Sequence, residues 1–281
     1  MKRFIFAAIA AAALMSCENV DEQRDGDGQE REITFACGGF DVANATRALE
    51  ADGKGMTDLW VMDYHDGALV QQMHQSGTDA DFGAPSMRLR TGEHQLCFVA
   101  SRGMGAALDT EAHTVTWTKP SDTFYKSITI DVQPSSAARQ QVTLERVATR
   151  LRLTLTDEVP ANAASVTIAP ERWYTGLDYL SGEPSEAVTG YTSTVALPES
   201  VRGTTGLQIS IYGLSSAAQW TTDVALSSTD AAGALIGQGT IKSAPMRRNI
   251  ITNCTGPLFS SVTVGGIVLN TEWLPDVEVT W

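Results

Sequence analysis

"RLRLTLTD", residues 150–157, decides the fold class. Leu151, Leu153 and Leu155 fall on one face of an extended chain, and Arg152, Thr154 and Thr156 on the other. A period of two buries one face of a strand and leaves the other wet; a helix would scatter those leucines around its axis. Outward from this stretch the same grammar recurs. "EITFAC" (32–37), "TDLWVMDYH" (57–65), "EHQLCFVA" (93–100), "KSITIDVQ" (126–133), "QQVTLERV" (140–147), "ASVTIAP" (164–170), "GLQISIYGL" (206–214) and "RRNIITNC" (247–254) are short runs rich in Val, Ile, Thr and aromatics. Gly, Ser, Asp, Asn and Pro separate them. No long amphipathic helix stands out, so we expect an all-β protein built of β-sandwiches. "QPSSAARQQ" (133–141) reads as the connection between two halves, with "DEVPANAA" (157–164) as the alternative.

The first thirty residues follow a different logic. Lys2 and Arg3 precede "FIFAAIAAAALM" (4–15), the n-region and h-region of a secretory signal. That run is far shorter than the roughly 20 apolar residues of a stable membrane span. It ends in "LMSC" (14–17), which resembles a lipobox, so Cys17 is expected to carry lipid after cleavage. Acyl chains bury about 0.8 kcal/mol per CH2, and two or three of them make a firm anchor. The acidic "ENVDEQRDGDGQE" (18–30) has almost nothing apolar to bury and is expected to act as a tether. Its "DGDG" lacks the glycine and glutamate offsets of a calcium loop.

The chain has 281 residues, 43% of them hydrophobic, and a formal net charge of −13. That balance disfavours a nucleic-acid partner, whose phosphates require a basic patch. Besides Cys17, the cysteines are Cys37, Cys97 and Cys254, widely spaced and without a C-x-x-C pair, so zinc is not expected. Cys97, inside "LCFVA", reads as a small buried hydrophobe; one disulfide among the three is an open alternative. His65, His74, His94 and His113 lie apart and form no metal-ligand motif. "GMGAAL" (103–108) lacks the context of a dinucleotide loop, and no G-x-S-x-G elbow occurs. Carboxylates are too numerous for counting to single out a glycosidase pair. We therefore expect no enzyme and no cofactor. "ERWYTGLDYLSG" (171–182) offers Trp173, Tyr174 and Tyr179, either as a sugar-binding platform or as cross-strand packing.

Taken together, "LMSC", "ITFACGGFDVANATRALE" (33–50), "MTDLWVMDYHDGALV" (56–70) with its D-G turn, "GEHQLCFVASRG" (92–103), "VTLERVATRLRLTL" (142–155) and "RRNIITNCTGPLFS" (247–260) resemble the fimbrillin family, the lipoprotein-precursor subunits of type V pili. The resemblance covers nearly the whole length. It implies two transthyretin-like β-sandwiches, here 31–137 and 138–281, after a signal (1–16) and tether (17–30). It also implies delivery to the outer membrane and cell surface as a lipoprotein, and assembly with other pilin subunits by strand exchange. In stalk subunits a trypsin-like protease cuts after an arginine behind the first strand; the matching bond here is Arg47–Ala48, in the polar "NATRALEADGKG" (44–55). Removing "EITFAC" would expose an apolar groove, and the C-terminal "PDVEVTW" (275–281) offers Val277, Val279 and Trp281 as a donor. Without cleavage the lipid stays, and an anchor or tip role follows. A surface glycan-binding lipoprotein using Trp173 and Tyr174, with a host or bacterial receptor, is the rival reading.

Overall fold

The structure is a computed structural model, and it describes residues 29–38 and 55–260. Its first ten strands are β1 (Glu30–Gly38), β2 (Asp58–His65), β3 (Ala68–Ser76), β4 (Ser86–Arg90), β5 (Gly92–Ser101), β6 (Met104–Asp109), β7 (Thr114–Lys119), β8 (Thr123–Val132), β9 (Arg139–Thr143) and β10 (Glu145–Arg146). The remainder are β11 (Ala148–Leu155), β12 (Ala163–Pro170), β13 (Gly176–Asp178), β14 (Ser193–Ala196), β15 (Leu207–Leu214), β16 (Trp220–Asp230), β17 (Leu235–Met246) and β18 (Ile251–Gly256). Among the described residues the one helical element is a 3-10 turn at Glu199–Val201. The all-β class read from the sequence is the class observed.

Two sandwiches account for most of the core. In the first, the sheet β4-β1-β9 faces the sheet β10-β8-β5-β2-β3. Ile33, Phe35, Met87, Leu89 and Val142 from one sheet meet Leu59, Val61, Leu96 and Phe98 from the other. In the second, β15-β11-β18 faces β14-β12-β16-β17. There Leu151, Leu153 and Leu155, the leucines of "RLRLTLTD", pack on Val166, Ile168, Val224, Leu226 and Ile241.

A third sheet, β13-β7-β6, covers the outer face of the five-stranded sheet. Trp60, Met62, Tyr64, Cys97 and Val99 point that way and meet Val115, Trp117 and Leu177. This explains a contrast visible in the strands themselves. β11 alternates between buried and half-buried positions, whereas β2 is buried from Leu59 through Tyr64. A strand covered on both faces must read as a continuous apolar run. The β2–β3 hairpin closes on Asp66 (φ 52°) and Gly67 (φ 74°), the two left-handed residues of a type I′ turn.

The halves are interleaved. β13, contributed by the "ERWYTGLDYLSG" stretch, pairs with β7, Gly176 opposite Thr116. Beyond the limit expected at 137/138, β9 still pairs with β1, and Val142 and Leu144 sit in the same cluster as Ile33. "QPSSAARQQ" is a tight turn inside the first sandwich, closed by Ser136 N–H donating to the Gln133 carbonyl at 2.9 Å. The chain passes from the first core to the second between Leu144 and Leu151. Arg146 lies at this crossing and donates two hydrogen bonds to the buried Asp122 carboxylate, at 2.6 and 2.9 Å.

Candidate functional site

β1 is the middle strand of its sheet. It runs antiparallel to β4, with Glu30 opposite Arg90 and Thr34 opposite Ser86, and parallel to β9, with Thr34 opposite Arg139 and Gly38 opposite Thr143. Phe35 N–H donates to the Pro85 carbonyl at 2.9 Å and Cys37 N–H to Gly83 at 2.8 Å. On the other side Thr34 N–H donates to the Ala138 carbonyl at 2.9 Å, and Leu144 N–H to Gly38 at 2.8 Å. Ile33 and Phe35 have no exposed surface, and the Phe35 ring meets Phe98 edge-on at 5.4 Å. Sequence reading takes this strand as the completion of the first sandwich. The structure makes it a wedge: taking it out would open two strand edges and a slot at least two side chains long.

The β4 wall of that slot is fastened from behind. His94 on β5 places Nδ1 2.7 Å from the Asp63 carboxylate and Nε2 3.0 Å from the Arg90 carbonyl of β4. Gln71 on β3 donates to Asp63 at 3.2 Å and to the Arg88 carbonyl, also on β4, at 3.0 Å. Asp63 and His94 are both buried, so their pairing meets the rule that an interior charge needs a partner. The sequence, with its four histidines apart and outside any metal-ligand motif, gives His94 no such role. The missed signal is Asp63 itself, a lone carboxylate inside the apolar run "LWVMDY".

The other residues singled out from sequence are placed as follows. Cys17, Arg47, Ala48, Val277, Val279 and Trp281 lie outside the described residues. Trp173 is fully buried, with its indole N–H donating to the Tyr212 carbonyl at 3.0 Å. Tyr174 is 9% exposed and packs edge-on against Trp220 at 5.2 Å. Tyr179 is buried with its hydroxyl 3.0 Å from that of Tyr64. Stacking on a sugar needs an exposed ring face, which Trp173 does not have; of the two readings of this stretch, sugar platform or cross-strand packing, Trp173 and Tyr174 take the packing one. Cys37, Cys97 and Cys254 are free thiols, and burial pushes them up to about 12, 11 and 11 respectively. Cys97 is the buried hydrophobe expected. Among the described residues no group of three or more His, Cys, Asp or Glu is placed to hold a metal ion, and no helix is long and apolar enough to cross a membrane.

A family model described as a family of unknown function (DUF6562) matches residues 107–280. No curated protein matches the chain. Among solved structures, a candidate adhesin from Bacteroides ovatus is 11% identical, with a TM-score of 0.52 over 82% of this chain and 88% of its own. A second candidate adhesin from Bacteroides ovatus is 13% identical, with a TM-score of 0.47 over 74% and 77% of the two chains. The tip fimbrial protein Mfa3 from Porphyromonas gingivalis, C-terminally truncated, is 12% identical, with a TM-score of 0.42 over 80% and 93%. At these identities the likeness is one of fold, carried by the first of the three.

Proposed function

The chain belongs to the family of unknown function DUF6562, and on that premise we propose that it is a non-enzymatic, cell-surface subunit of a type V-like pilus. One observation carries this reading. The sandwich core is closed by an N-terminal strand, β1, hydrogen-bonded on both sides and joined to β2 through the stretch that contains Arg47–Ala48. Besides its ladders and the side-chain hydrogen bonds of Arg31 to the Pro134 carbonyl and of Thr34 with Ser86, a cut at that bond would leave β1 held by Ile33 and Phe35. At about 1.5–3 kcal/mol per buried side chain, those two contribute about 3–6 kcal/mol, and each ladder bond adds about 1 kcal/mol. A replacement strand presenting two or three alternating apolar residues, as Val277, Val279 and Trp281 do, matches what it displaces, so exchange between subunits is close to balanced. Leaving the slot empty is not balanced, because two unpaired edges invite any strand.

In this reading Cys17 carries lipid that delivers the chain to the outer membrane, and cleavage discards lipid and β1 together. Fold likeness to candidate adhesins supports a surface role. The test is intact mass and N-terminal sequencing of the protein recovered from its native cell surface. A lipid-free chain beginning at Ala48 supports the polymerising subunit. A chain beginning at acylated Cys17 rejects the stalk role in favour of a pilus anchor or tip.

A further inference from the structure

We propose that Arg88 and Arg90 on β4 select the strand that fills the β1 slot, and that the strand they select is residues 276–281 of a second copy of this chain. The proposal rests on the strand-exchange reading above and adds the partner and the register of that exchange.

The β1–β4 ladder sets Glu30 opposite Arg90, Glu32 opposite Arg88 and Thr34 opposite Ser86. The four charged side chains are exposed and share the face turned away from Ile33 and Phe35. On that same face the Thr34 and Ser86 hydroxyls lie 2.7 Å apart. Opposite charges placed directly across a ladder favour their register, and like charges work against it.

The strand that satisfies this slot, "EREITF" (30–35), reads acid, any residue, acid, Ile or Val, Thr, aromatic. The pattern recurs once in the chain, in "DVEVTW" (276–281). Asp276 corresponds to Glu30, Glu278 to Glu32, Val279 to Ile33, Thr280 to Thr34 and Trp281 to Phe35. Val277 stands in the place of Arg31; it gives up the hydrogen bond from Arg31 to the Pro134 carbonyl, at 2.8 Å, and adds an apolar side chain to the inward face. The match spans the β4 ladder from Glu30 to Thr34 but only the first two positions of the β9 ladder, so selection falls on the β4 side.

Charge separates this segment from others of like shape. "AHTVTW" (112–117), which runs into β7, has the same Val-Thr-Trp ending with Ala112 and Thr114 in place of the two acids. A slip of one residue would turn Val279 and Trp281 outward, and a slip of two would leave one arginine without an acid opposite. The slot belongs to the first sandwich and the donor follows the second. Copies joined this way meet head to tail, and such a contact propagates as a filament when the rotation does not close.

The test uses the whole chain with a site for a sequence-specific protease introduced between residues 39 and 54. Cutting leaves β1 bound as a fragment, and its release is followed by chromatography. A peptide of residues 274–281 should release it at a concentration about tenfold or more below that needed by the same peptide carrying Asp276→Lys and Glu278→Lys. The β7 peptide, residues 112–119, should be as poor as the lysine peptide. A protein with Arg88→Glu, Arg90→Glu, Glu30→Lys and Glu32→Lys keeps its own strand paired and should reverse the preference. Concentrated without peptide, the cut parent should shed its fragment and sediment as species larger than a monomer.

Equal potency of the two peptides, or no reversal in the swapped protein, would overturn the role of Arg88 and Arg90. Release by a peptide of residues 30–38 but not by 274–281 would overturn the choice of donor while leaving exchange standing. A cut chain that sheds its fragment and stays monomeric fills the slot with its own residues, which overturns the second copy. No release even by the 30–38 peptide would remove strand exchange itself, and this proposal with it.

Discussion

β1 and β11 occupy matching places in the two sandwiches. Each is the middle strand of a three-stranded sheet, antiparallel to one neighbour and parallel to the other: β4 and β9 around β1, β15 and β18 around β11. They differ in how firmly they are held. β11 pairs with β15 along its whole length, from Ala148 to Leu155, and sends Leu151, Leu153 and Leu155 into the core. β1 pairs with β4 from Glu30 to Thr34 and with β9 from Thr34 to Gly38, and sends in two fully buried side chains, Ile33 and Phe35. The β9 ladder thus begins where the β4 ladder ends, while on the β4 side the hydrogen bonds of Phe35 and Cys37 to Pro85 and Gly83 carry on past it. The edge of the β11 sheet is also locked: beyond β18, the amides of Leu258, Phe259 and Ser260 donate to the Asp157 carboxylate at 3.0, 2.6 and 2.8 Å. One architecture therefore seats three core leucines on its middle strand in the second half and two fully buried side chains in the first, the difference that the proposed exchange of β1 would use.

Deleting β1 should have the largest effect. A chain beginning at Gly55 should lose cooperative unfolding of the first sandwich and bind a peptide spanning residues 30–38, as read by near-UV circular dichroism and peptide titration. If it melts like the full chain and ignores the peptide, β1 is not part of the core.

Next in size is the strap behind β4. Asp63→Ala leaves His94 buried without its partner and should cost about 3–5 kcal/mol by chemical denaturation. The double variant Asp63→Ala, His94→Leu should lose less than that; an additive loss would mean the pair does not act as a unit.

Truncating the two core strands comes third. Phe35→Ala should cost about 3–5 kcal/mol and Leu153→Ala about 2–5 kcal/mol, similar in size. After a limited proteolytic cut within residues 39–54, however, the first should hasten release of the N-terminal fragment and the second should not. Equal release rates would erase the distinction between the strands.

Asp157 gives a smaller, pH-dependent effect. Burial pushes its carboxyl up, but hydrogen bonds from Ser260, Phe259 and Leu258 together outweigh that and hold it below the ordinary carboxylate value. The folded state thus binds this proton less readily than the unfolded one. Its stabilisation is present above the unfolded pKa and is lost as pH falls through the lower folded one. Asp157→Ala should cost about 1.5–3 kcal/mol at pH 7. The gap from the parent should shrink in acid; a gap of the same size at low pH would remove the carboxylate from the explanation.

The mildest probe is alkylation at pH 8. Cys37, on β1, is raised to about 12 and should be unreactive in place. Once β1 is withdrawn, its thiol returns toward about 8.5 and should react, while Cys97 and Cys254 stay protected. Simultaneous labelling of all three would indicate global unfolding instead.

Much of this was legible in the sequence. The period of two in "RLRLTLTD", the D-G turn and the buried setting of Cys97 depend on neighbours in the chain, because pleating, left-handed turn residues and local apolar runs act over a few residues. What lay beyond reach was the choice of partner. Nothing local in "RQQVT" indicates a parallel ladder with a strand 105 residues earlier, as Arg139 forms with Thr34. Nor does "ERWYTGLDYLSG" announce that part of it will pair with β7 and bury its aromatics. The seam around β1 is assembled from segments far apart in the chain, Pro85, Ala138 and Leu144 all bonding to it. The amino-acid order alone determined which residues could be strands and which face of each is apolar. Tertiary structure decided which faces are covered and which strands lie side by side, because burial is a property of the surfaces that meet and not of the segment that carries them.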